Sequence, residues 1–182
     1  LRERVSIDVQ RLADLYGKKS PAKTYIAHTR NSQGEYHNLV SHLKSVAEIA
    51  YEFAEPLQAS DLAQYLGLCH DLGKFHPEFQ NYLFDAEAGI KRRGPDHKAA
   101  GCRIAYEQEG LSLLMLLIQG HHGGLRNKND LLHWYRNAKE GTEKALSIAR
   151  EILNITPEKT FHFPEFTQGS PLAAELFLRM LF

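Results

Sequence analysis

"GLCHDLGKFHPEFQNYL", Gly67 to Leu83, sets His70 and Asp71 at the end of an apolar helical pattern, two residues ahead of a Gly-Lys pair. Leu62, Tyr65, Leu66 and Cys69 share one face of a helix that follows Ser60, and Gly73 is a suitable stop for it, since glycine closes helices at low steric cost. The dipeptide is therefore expected in a last helical turn. It is either a metal-ligating pair or two polar residues that happen to end a helix, and the stretch alone does not choose.

Working outward, the same arrangement recurs. Leu39, Leu43, Val46, Ala50 and Phe53 step by three or four residues, the stripe of a core-facing helix that Pro56 ends, with His42 at the edge of that stripe. Phe84 to Pro95 carries turn residues and a basic run, after which Asp96 can cap a helix containing Ala99, Ala100, Ile104 and Ala105, with His97 in its first turn. The apolar run Leu111 to Ile118 ends in "QGHHGGL", where two glycines after His121 and His122 stop the helix and permit close backbone approach. Further helices are expected over Leu131 to Ala138, over Thr142 to Leu153, and from Pro171 with Ser170 as cap. The stretch from Asn154 to Ser170 reads as a long surface connection. Strand patterns are nearly absent, so the expected fold is an all-α helical bundle.

The 182 residues, 43% hydrophobic and 24% charged, suit one globular domain with its own core. Lys and Arg together number 22, as do Asp and Glu, so no strong overall field draws the chain to nucleic acid or an anionic membrane. Cys69 and Cys102 both lie in apolar helical patterns without a Cys-x-x-Cys spacing, which suggests buried free thiols in a reducing compartment. The longest apolar run is about half the roughly 20 residues that span a bilayer. With no signal peptide at the first residue, Leu1, the expected location is the cytoplasm.

One helical histidine is usually a half-buried hydrogen-bonding residue. Here four successive helices each present candidates at one turn or face: His42, then His70 with Asp71, then His97, then His121 with His122. Adjacent helical residues differ by about 100° in direction, so a His-Asp pair can serve two ions, and a bundle interior can gather all six residues. Imidazoles with a carboxylate suit iron, manganese, cobalt, nickel or zinc better than magnesium or calcium. A bound divalent ion lowers the pKa of water from 15.7 to about 7, and two ions about 3.5 to 4 Å apart clamp a phosphate, which is what phosphoester hydrolysis needs.

"YIAHTR", "HLKSVAEIA", "GLCHDLGKFHPEFQNYL", "DHKAAG" and "IQGHHGGL" together resemble the HD nuclease domain of the CRISPR-associated helicase-nuclease of type I systems. That family lies within the HD-domain metal-dependent phosphohydrolases, whose pattern is H…HD…H…HH…D on a helical bundle. The resemblance covers about residues 25–182, leaving 1–24 as an N-terminal extension compatible with a helix. It implies that His42, His70 and Asp71 hold one metal with a later Asp, and that Asp71, His97, His121 and His122 hold the second, Asp71 bridging both. The later Asp belongs after a helix resembling "ELFLRMLF", so the chain is expected to stop short of it and of the helicase that follows in the family. The implied activity is metal-dependent hydrolysis of phosphodiester bonds in single-stranded DNA during CRISPR interference, an antiviral defence. The implied partners are a helicase domain, in cis or in trans, and the RNA-guided effector complex, with no membrane. Two other readings stand beside it: an HD phosphohydrolase acting on nucleotides or cyclic nucleotides, and a catalytically silent docking domain braced by its metals.

Lys74 either orients a scissile phosphate or complements a helix dipole, an effect of about 0.3 to 1 kcal/mol. Lys91, Arg92 and Arg93, with Arg126 and Lys128 after the double His, are candidate contacts to a nucleic-acid backbone or else solvated loop cations. His37 competes weakly with His42 as first ligand. His28, His76, His133 and His162 lack the motif context and are read as ordinary histidines.

Overall fold

The computed structural model describes residues 24–107, 113–155, 161 and 163–181. The first 23 residues of the expected N-terminal extension, Leu111 of the apolar run, and His162 lie outside them. Among the described residues eight α-helices follow in order: α1 Leu39–Phe53, α2 Ser60–Cys69, α3 Pro77–Glu87, α4 Ala99–Glu107, α5 Leu114–Gly120, α6 Lys128–Ala138, α7 Glu143–Leu153 and α8 Pro171–Leu181. The only β pairing among the described residues is an isolated antiparallel bridge between Ile26 and Asn38. The protein is an all-α bundle, and among its described helices none is long and apolar enough to cross a membrane.

Asn38 starts α1 by accepting a hydrogen bond from the Ser41 N–H on its side chain, satisfying one of the free donors of the first turn. Leu39, Leu43 and Ala47 are the buried face of this helix. Phe53, expected on the same stripe, is 80% exposed. The chain turns there through a 3₁₀ segment, Glu55–Leu57, and the small residues Ala54 and Ala59 fill that end of the core instead. Helix α2 returns against α1. Gly67 permits the approach, because a Cβ there would lie 2.6 Å from the Ala47 Cα.

Helix α2 ends at Cys69, with the His70 N–H still bonded to the Leu66 carbonyl. Asp71, at φ −118° and ψ 18°, already leaves the helix, and Leu72–Phe75 form a 3₁₀ turn. Gly73 sits inside that turn and is not the left-handed stop expected from its position. Its role is close packing: a Cβ would overlap the His97 backbone, to whose carbonyl the Gly73 N–H donates at 3.0 Å. Leu72 and Phe75 are fully buried, and burying such side chains contributes about 1.5–3 kcal/mol each. The 3₁₀ turn packs against α3, α4 and α7, which makes the segment carrying Asp71 the centre of the bundle.

Helix α3 carries the "FQNYL" residues and runs three residues beyond Phe84, into the stretch read as turns. His76 caps it by accepting from the Glu78 N–H, Pro77 occupies its first position, and Phe79, Gln80 and Leu83 are buried. Asp96 caps α4 as expected, its Oδ1 accepting from the N–H groups of Lys98 and Ala99. His97 lies between this cap and the first helical residue, ahead of the first turn. Helix α6 begins three residues earlier than expected because Asn127 caps it through the Asp130 N–H. Ser170 caps α8 through the Ala173 N–H. The connection before α8 is partly anchored, with Phe161 against Tyr65 and Phe163 against Phe177.

Candidate metal centre

The six expected ligands come together around Asp71. Its carboxylate is buried, 2% of the residue being exposed. On one side, Oδ2 lies 3.1 Å from His70 Nε2, 3.3 Å from His42 Nε2 and 2.8 Å from Lys74 Nζ. On the other, Oδ1 lies 3.5 Å from both His97 Nε2 and His121 Nε2. The His122 ring is exposed and packs edge-on against His97 at 5.1 Å. Two groups of side chains have ligand atoms close enough to share an ion: His42, His70 and Asp71, and then Asp71, His97, His121 and His122.

Helix ends set this geometry. His70 and His121 are the residues just after α2 and α5, and each Nδ1–H donates back into the last turn, to the Gly67 carbonyl at 2.7 Å and the Ile118 carbonyl at 2.6 Å. That bond fixes the tautomer, leaving each Nε2 with a lone pair directed at the Asp71 carboxylate. Lone pairs facing lone pairs at these distances repel unless a cation stands between them. On the Oδ1 side nothing compensates within the protein: Asp71 Oδ1, His97 Nε2 and His121 Nε2 are all buried without a hydrogen-bond partner. Three buried polar atoms without a partner, converging in one place, cost free energy, about 1–3 kcal/mol each, and a divalent transition-metal ion satisfies them together. The donor set fits such an ion.

Electrostatics agree with ligation. Burial pushes His97 down to about 4 against the opposing pull of Asp71, with Lys74 and the neighbouring His121 and His122 adding to the depression. His122 is lowered too, by burial and by His121. Anionic carboxylate and neutral imidazole are the forms metals bind. The two thiols stay apart from this chemistry: both are buried, and burial pushes Cys69 up to about 12.

Lys74 points inward. It is 3% exposed and its ammonium is shared between Asp71 Oδ2 and the Ala27 carbonyl at 3.0 Å. The basic residues lie at the surface: Lys91, Arg92, Arg93 and Arg126 in loops and Lys128 at the start of α6 are exposed, and Arg92 is drawn to Asp85 at 2.8 Å and over the Tyr82 ring. An apolar groove lined by Val46, Ala50, Leu66, Leu117 and Leu181 opens beside His70 and His121.

His28, read from the sequence as an ordinary histidine, and His37, the weaker competitor of His42, both stand at the cluster. His28 and His37 each meet the His42 ring edge-on at 5.3 Å. Their signal was the "HTRNSQGEYH" stretch, in which an Asn-led turn folds the two histidines back together. Gln80 carries no comparable signal. Buried in α3, it brackets Ile26 by accepting from its N–H and donating to its carbonyl, and so ties the segment before α1 to the site.

A family profile described as "Cas3, HD domain" matches residues 22–176. No curated protein matches the chain.

Proposed function

Because the chain belongs to the Cas3 HD-domain family, we propose that it is a metal-dependent nuclease domain that hydrolyses phosphodiester bonds of single-stranded DNA in CRISPR interference. One observation carries this reading: the buried convergence of Asp71 Oδ1, His97 Nε2 and His121 Nε2, all without partners, with His42 and His70 against the other carboxylate oxygen. The ions are drawn from iron, manganese, cobalt, nickel and zinc, and when bound they supply Lewis acidity to a phosphate and a water of lowered pKa.

The protein's own part is positioning. Asp71 offers one oxygen to each side and is the bridging ligand. The carbonyls of Gly67 and Ile118 hold the His70 and His121 protons on Nδ1, so each Nε2 is an acceptor, that of His121 without a partner and that of His70 at 3.3 Å from His42 Nε2. Lys74 neutralises Asp71 from within the core and holds Oδ2 in place, so it acts through Asp71 and not on the phosphate. The exposed cations Lys91, Arg93, Arg126 and Lys128 are sequence-independent contacts to the strand, with Arg92 available once it leaves Asp85. Equal acidic and basic counts leave the isolated domain with weak strand affinity, so delivery of a single strand falls to a helicase domain, in cis or in trans, recruited by the RNA-guided effector complex.

The test loads the metal-free chain separately with each of the five metals and assays a labelled single-stranded oligonucleotide, the matching duplex, and a panel of nucleotides and cyclic nucleotides. Cleavage of the single strand in preference to intact duplex is expected with at least one metal. Turnover of the nucleotides with DNA untouched would replace the proposal with a small-molecule phosphohydrolase. Stoichiometric metal with no hydrolysis of any substrate would leave a metal-braced docking domain.

A further inference from the structure

His28 and His37 sit on a short clasp that precedes α1. The Ala27 N–H donates to the His37 carbonyl and the Leu39 N–H to the Tyr25 carbonyl, both at 2.8 Å, around the Ile26–Asn38 bridge. The tip is closed by Asn31, whose side chain accepts from the N–H groups of Gln33 and Glu35, with Gly34 at φ +81°. That conformation favours glycine.

The clasp is fixed to the body of the protein at both ends. At its base Gln80 clamps both backbone polar groups of Ile26, and Lys74 donates to the Ala27 carbonyl. Toward its tip Tyr36 donates to Glu87 and packs on Phe84, while Arg30 pairs with the same Glu87. Two exposed imidazoles are thereby held on a rigid support, flanking the ligand His42. The field of the Lys74 ammonium, itself bonded to the clasp at the Ala27 carbonyl, reaches both rings.

We infer that His28 and His37 form a phosphate-binding pair at the mouth of the metal centre, donating ring N–H groups to non-bridging oxygens of the strand's phosphodiester beside His42. The inference rests on the nuclease reading and deepens it by naming residues that position the substrate. It assigns the pair no metal: the groups of side chains that could share an ion do not include them.

The test uses the whole chain with His28→Ala, His37→Ala, the double variant, the donor-retaining His28→Gln and His37→Asn, and the surface control His133→Ala. Metal content is measured alongside kcat and KM on single-stranded oligothymidylate. Losing one hydrogen bond to a charged phosphate oxygen should raise KM about 10-fold in each Ala variant. Metal content and the control should match the original protein, and the donor-retaining variants should recover part of the loss. In parallel, inorganic phosphate is titrated into the metal-free protein while the histidine ring protons are followed by NMR, and the His28 and His37 signals should shift together. Loss of metal in the double variant would mean that the pair serves His42 and not the phosphate. An unchanged KM, or phosphate titration that leaves both signals still, would overturn the inference. If the original protein cuts no nucleic acid, the nuclease reading fails, and the phosphate titration still decides whether the pair binds phosphate.

Discussion

The two oxygens of Asp71 stand in different surroundings. Oδ2 has an ammonium at 2.8 Å and two imidazoles within 3.3 Å, so it is partly compensated by the protein itself. Oδ1 has two imidazole nitrogens at 3.5 Å and no hydrogen-bond partner, like the nitrogens that face it. Lys74 makes the difference. The side that already has a cation demands a metal less, so the His97–His121–His122 side should fill first and hold its ion more tightly.

Removing the shared group should do the most damage. Asp71→Ala is expected to lose metal from both sides and to reduce cleavage by at least about 10²-fold, the scale seen when one preorganised charge-stabilising group is lost. It also strands the buried Lys74 ammonium, which costs about 3–5 kcal/mol, so denaturant unfolding of the metal-free protein should shift accordingly. Unchanged metal content and activity would remove Asp71 from the centre.

The two glycines at the close approaches should split the comparison. Gly73→Ala forces the His97 backbone away and should strip the Oδ1 side while sparing His42 and His70. Gly67→Ala pushes α1 from α2 and should weaken the Oδ2 side instead. Each should cost about 1–3 kcal/mol of stability, as overpacking does, and metal stoichiometry at limiting and saturating metal tells the sides apart.

Acidification of the metal-free protein should act on the Oδ1 side. His97 is held at about 4 against an ordinary 6.5, so between those values the unfolded chain binds the proton and the folded one does not. Stability should therefore fall as pH drops from about 6.5 to about 4, with no further loss from this group below that. Melting curves across this window, with His97→Phe as reference, measure the His97 share.

The smallest effect belongs to the surface cations. With Arg92 engaged by Asp85, Lys91, Arg93, Arg126 and Lys128 would give a salt slope for single-strand binding of at most about 2.8, at about 0.7 per phosphate. A slope up to about 3.5 would show Arg92 released from Asp85, and a steeper one contacts beyond these five residues.

Much of the bundle was legible because helices announce themselves through spacing and caps: Asp96, Ser170 and the α1 stripe stand close to where their patterns put them. The candidate ligands His70, Asp71, His121 and His122 were legible because they lie beside helix ends that punctuation marks. What escaped was tertiary. Phe53 satisfies the helical period but projects past the end of the packed region, and periodicity carries no information on where a partner helix stops. Gly73 looked like a terminator because a lone sequence cannot tell a left-handed glycine from one that makes room for another backbone. Helix α3 was hidden by turn-forming residues beyond its end, although Pro77 and the His76 cap mark its start. The clasp that holds His28 and His37 depends on Gln80 reaching back 54 residues, a contact that no local pattern encodes.

The most direct measurement is a crystal structure of the chain loaded with manganese or zinc, with anomalous scattering recorded at the metal edge, first at one equivalent and then at excess. The expected first peak lies among Asp71 Oδ1, His97 Nε2, His121 Nε2 and His122, and the second, at higher metal, among Asp71 Oδ2, His42 and His70. Anomalous density that avoids Asp71, or that fills the His42–His70 side first, would contradict the two-sided carboxylate on which the centre is built.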